Sequence, residues 1–82
     1  MKHNFKVGDL VVTNNFTLKQ DICRVEENGQ LKVIGRYERK NIFKQLENII
    51  NSEHLAEKKI NIYVKDGQFI PDFKFYYMLK SY

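Results

Sequence analysis

Few side chains in this 82-residue sequence are of the types that make and break covalent bonds, and their spacing does not gather them. His3 lies in a polar amino-terminal stretch and His54 in a charged one. Neither has a partner at the intervals of a metal site or a Ser–His–Asp triad. Cys23 alternates with apolar neighbours, which reads as a small buried hydrophobe rather than a nucleophile. The four glycines are scattered turn formers, so there is no glycine-rich phosphate loop. Asp9, Asp66 and Asp72 sit in turn contexts, where a carboxylate bonds to local backbone. The expectation is therefore no catalytic, metal or cofactor site, and no enzyme.

What remains is surface chemistry, in two groups. Ile22, Arg24, Lys32, Ile34 and Arg36 fall on one side of a hairpin, where cations could neutralise phosphate or meet an acidic protein face. Lys74, Tyr76, Met78, Lys80 and Tyr82 share one parity near the carboxyl end. Tyrosine can stack on bases while lysine tracks phosphate, and Tyr and Met also anchor protein interfaces. Pro71 lacks an N–H, so its strand either lies at a sheet edge, which a partner could extend, or breaks at Pro71.

These groups depend on the elements that hold them. Phe5 to Thr13 reads as a first strand bent at Gly8-Asp9, where a bulge would keep Phe5, Val7, Leu10 and Val12 on one core. Phe16 reads as a lid on that core. The clearest hairpin joins Lys19–Glu26 to Gln30–Tyr37. A two-residue Asn28-Gly29 loop would mix apolar and charged side chains on both faces. A three-residue loop with Gly29 left-handed pairs Val25 with Leu31, Cys23 with Val33, Arg24 with Lys32 and Ile22 with Ile34. That register puts Cys23, Val25, Leu31, Val33, Gly35 and Tyr37 inside. It leaves Ile22, Arg24, Lys32, Ile34 and Arg36 outside.

Arg39 to Lys59 admits two readings. Ile42, Phe43, Leu46, Ile49 and Ile50 follow helical spacing, with Asn41 as cap and a second short turn from Ser52. The alternative is a strand at 41–45, a turn at 46–50 and a helix at 52–58. Periodicity favours the first. Ile60 to Val64 alternates as a strand, and Asp66-Gly67 is a hairpin tip that pairs Val64 with Phe69 and Ile60 with Phe73. Phe73, Phe75, Tyr77 and Leu79 then alternate with Lys74, Tyr76, Met78 and Lys80 in a last strand.

At this length the chain is one domain, 1–82, and buries only about 60% of its unfolded surface. With 43% apolar and 29% charged residues it fits a globular rather than a disordered chain. The net charge of +4 permits an acidic partner without requiring one. A single cysteine excludes an intrachain disulfide. No apolar run approaches the ~20 residues of a membrane span, and no signal-peptide pattern is visible. Reducing cytoplasm, of the source cell or of a host, is the expected setting.

The layout of residues 5–37, with Lys6-Val7-Gly8-Asp9-Leu10-Val11 followed by the bent hairpin Asp21–Tyr37, resembles SH3-like barrels, including KOW and Tudor-type modules. Leu46-Glu47-Asn48-Ile49 is similar to the short turn that closes such barrels in small phage proteins. The resemblance covers about half the chain, and Ile60–Tyr82 extends beyond a minimal barrel. It implies a mainly β (α+β) fold and a role in binding nucleic acid, peptides or proteins. The function expected is a non-enzymatic, phage-type accessory module that docks on a host protein or nucleic-acid machinery. Direct nucleic-acid binding by the same surface is one alternative. A homo-oligomer paired through the carboxyl-terminal strand is another.

Overall fold

The computed structural model describes residues 5–14, 18–65 and 74–82. Among these described residues five strands form one mixed sheet: β1 (Leu10–Asn14), β2 (Lys19–Val25), β3 (Leu31–Glu38), β4 (Ile62–Val64) and β5 (Leu79–Ser81). Their order is β3-β2-β1-β4-β5. β1, β2 and β3 are antiparallel neighbours, β4 runs parallel to β1, and β5 runs parallel to β4. One helix, α1 (Ile42–Glu53), connects the β3 edge to β4. The result is a small α+β domain with more strand than helix.

β1 is central, and its unbroken Leu10-Val11-Val12 run is buried on both faces. Leu10 and Val12 point to one side with Ile22, Ile62 and Val64, where Ile42, Phe43, Leu46 and Ile50 of α1 cover them. Val11 points to the other with Cys23 and Val25, covered by Phe5, Tyr63 and Tyr82. The turn before β1 differs from the expected in-strand bulge. Gly8 is left-handed (φ +93°) and its N–H donates to the Val25 carbonyl. The buried Asp9 carboxylate accepts from the Lys6 and Asn61 N–H groups at 2.9 and 3.3 Å. Those bonds hold a turn rather than a strand, so Phe5 joins the second cluster and Val7 is 58% exposed.

The β2–β3 turn follows the three-residue register. Gly29 is left-handed (φ +81°), and Val25 faces Leu31, Arg24 faces Lys32 and Cys23 faces Val33. Beyond Val33 the expected pairing fails. Ile22 faces Gly35, not Ile34, because the register shifts there by one residue. A bulge reverses side-chain parity, so Arg36 turns to the face of Val33 while Tyr37 joins the helix-side core.

Apolar positions at helical spacing become α1, and the strand-and-turn alternative for 41–50 does not occur. Asn41 precedes the helix without a side-chain cap bond. The helix ends sooner than a run to residue 58. His54 is left-handed (φ 54°) and the Leu55 N–H reaches back to the Ile50 carbonyl. A second stop follows at once. Lys59 is left-handed (φ 56°), with Lys59 N–H donating to the Ala56 carbonyl and Ile60 N–H to the Leu55 carbonyl.

The carboxyl-terminal segment departs most from expectation. Lys74 and Phe75 lie in a turn, Tyr76–Met78 form a 3₁₀ turn, and only Leu79–Ser81 is strand. Tyr82 closes the sheet: its N–H donates to the Val64 carbonyl and its hydroxyl to the Val12 carbonyl. The Asp66-Gly67 hairpin tip, the pairing of Phe69 and Phe73, the edge at Pro71 and the Phe16 lid lie outside the described residues.

Candidate docking surfaces

The residues expected to form one docking surface are divided by the sheet. Among the described residues β3 and β5 are its two edges, four strand spacings or about 19 Å apart. The hairpin group and the carboxyl-terminal group therefore sit toward opposite ends of the sheet.

Within the hairpin group, Ile22 is a correction. It is fully buried beneath α1, because the helix covers the face expected to be outside. Arg24 is half-buried and spans from β2 to the helix, donating to Glu53 Oε1 at 2.7 Å. Arg36 bonds Asp21 through two nitrogens, at 2.7 and 3.2 Å. That contact raises the Arg36 pKa, first through the hydrogen bond and then through the carboxylate charge. Lys32 is exposed on β3, and Ile34, at the bulge, is 37% exposed.

The edge strand shows what the sequence placed inside. Leu31 is 40% and Val33 49% exposed, although their partners Val25 and Cys23 are buried. With no described strand beyond β3, the strand carries three partly exposed apolar side chains, Leu31 and Val33 on the Cys23 face and Ile34 at the bulge, while Lys32 points to the opposite face. Gly35 is the narrow point of this edge. A Cβ there would lie 2.4–2.7 Å from the far end of the Tyr37 side chain, so that ring lies across the glycine. An aromatic over an edge glycine covers core that the glycine leaves bare.

In the carboxyl-terminal group, Met78 is the second correction. It is 5% exposed and packs into the helix-side core, because the 3₁₀ turn rotates it inward. Tyr76 and Tyr77 are exposed instead, at 66% and 62%. Lys74 holds its ammonium 5.5 Å from the Phe75 ring centre, and Phe75 lies 6.4 Å from Tyr77. Lys80 is exposed on β5. Strand alternation had put Tyr77 inside, and no signal for the 3₁₀ turn was available from so short a segment.

Groups with covalent chemistry lie apart. Cys23 is buried, with Thr13 Oγ1 3.9 Å from its sulfur, and burial pushes the thiol pKa up. His54 is exposed and lies 4.0 Å from Glu57. Among the described residues no three His, Cys, Asp or Glu side chains gather as a metal site, and no helix is long and apolar enough to cross a membrane. No known protein family, curated protein or solved structure matches this chain.

Proposed function

We propose that this chain is a non-enzymatic binding module that docks on a protein partner through the β3 edge. The observation that supports this reading is the exposure of Leu31, Val33 and Ile34 along a strand with no described outer neighbour. An extended segment of the partner adds there as a further strand, with main-chain hydrogen bonds giving affinity and alternate side chains giving selectivity. Lys32 favours an acidic segment. The resemblance of residues 5–37 to SH3-like modules agrees with an accessory binding role of the phage type, and it is an analogy of fold class rather than of site.

The test is capture of partners from a cytoplasmic extract by the wild-type chain and by Val33→Glu. Val33 is half exposed, so the substitution leaves the fold intact while placing a repelling charge at the centre of the edge. A protein retained by the wild type and lost with Val33→Glu supports the reading. Equal retention by both rejects it.

A further inference from the structure

The turn between β2 and β3 fixes which main-chain groups face the open edge. It closes on a bond from the Glu26 N–H to the Gln30 carbonyl at 2.8 Å, so Glu26 and Gln30 form a hydrogen-bonded pair. Such pairs alternate with non-hydrogen-bonded ones along antiparallel strands. Arg24 and Lys32 are therefore a bonded pair, while Val25–Leu31 and Cys23–Val33 are not. Val25 agrees: its N–H donates to the Asp9 carbonyl and its carbonyl accepts from the Gly8 N–H, both on the β1 side. The N–H and C=O groups of Leu31 and Val33 thus point away from β2. Past Val33 the bulge at Ile34 breaks the even spacing, and before Leu31 the chain turns back at Gly29. The usable edge is the stretch Leu31–Val33, about 10 Å long at ~3.4 Å per residue.

Charge gives the occupant its chemistry. Lys32 and Arg24 stand directly opposite one another on the helix side of the sheet, an arrangement unfavourable to like charges. Glu53 of α1 answers Arg24 at 2.7 Å. Among the described residues no carboxylate pairs with Lys32, which is exposed. Leu31 and Val33 point to the opposite face and are also exposed. An antiparallel strand added along this stretch meets Leu31 and Val33 through its hydrogen-bonded positions. It meets Lys32 through the non-hydrogen-bonded position between them, where facing side chains come closest. One acidic side chain at that position, with an apolar one on each side, complements both faces at once.

We propose that the β3 edge takes an apolar–acidic–apolar core of an extended, antiparallel partner segment, with the acid opposite Lys32 and the apolar pair against Leu31 and Val33. This inference rests on the docking reading above and adds the register, the length and the sequence pattern of the segment. Titration with capped Ser-Val-Glu-Val-Ser and Ser-Val-Lys-Val-Ser peptides, followed by the amide chemical shifts of the chain, tests it. The glutamate peptide shifts the Leu31 and Val33 amides most and binds about fivefold tighter than the lysine peptide. Lys32→Glu reverses that order, and Lys32→Gln removes it. Lys32 is exposed, so both variants keep the fold.

Equal affinity of the two peptides at Leu31 and Val33 overturns the charge assignment, while the edge reading stands. Shifts centred elsewhere, or none at millimolar peptide, overturn the whole proposal. An extract protein still lost with Val33→Glu would then keep the β3 edge as a docking surface of another geometry. Absence of both the peptide shifts and the Val33 dependence overturns the edge reading as well.

Discussion

Truncating Ile22 and Val33 to alanine tests their placement, since alternation places Ile22 outside and Val33 inside, whereas in the structure Ile22 is buried and Val33 is half exposed. Ile22 is fully buried against the helix, and losing about three methylene equivalents at ~0.8 kcal/mol each costs roughly 2.4 kcal/mol before any cavity. With the cavity the total is about 3–4 kcal/mol. Val33 loses about two equivalents but is half exposed already, which gives roughly 0.8 kcal/mol, and water fills the space. An 82-residue domain has about 4–12 kcal/mol of stability, so Ile22→Ala brings the fold near its limit and Val33→Ala hardly moves it. Urea unfolding followed by circular dichroism reads both. Equal losses, or a larger loss at Val33, would refute the placement of α1 over the Ile22 face.

Gly35→Ala drives a Cβ into the Tyr37 side chain, so unfolding should show a loss of about 1–3 kcal/mol. Adding Tyr37→Leu should recover part of it, and purely additive losses would contradict the contact. Burial pushes the Cys23 and Tyr82 pKa values up, with nearby Asp21 and Cys23, respectively, adding to the rise. The folded chain therefore holds both protons more tightly than the unfolded chain. The stability that these two protons contribute is fully present below the ordinary thiol value of 9.0 and is lost progressively as pH rises past it and then past the phenol's 10.0. Urea midpoints measured on the alkaline side should fall, and the fall should begin at higher pH in Cys23→Ala.

The turn at Glu27–Gly29 was legible because one register separates charged from apolar side chains and supplies glycine where φ is positive. The helix was legible because Ile42, Phe43, Leu46 and Ile50 repeat at its period. The face that the helix covers was not, since β1 and β2 are apolar on both sides. Leu10-Val11-Val12 and Ile22-Cys23 are consecutive buried runs that alternation cannot assign. That continuous burial was itself the missed signal of strands buried on both faces. The bulge beyond Val33 left no mark except the neighbouring Gly35, yet it moved Arg36 to the other face. β4 and β5 are three residues each, too short for any period, and their parallel pairing follows from the chain's return path. The docking residues suffered accordingly: Lys32 and Lys80 lie where expected, while Ile22 and Met78 are core.

Residue-by-residue amide hydrogen exchange on β3 tests the open edge most directly. In the free chain, amides directed away from β2 should exchange much faster than those paired with it, and the bound partner segment should slow them. Uniform protection of Leu31–Glu38 in the free chain would mean the edge is already covered, and the docking surface proposed here would not exist.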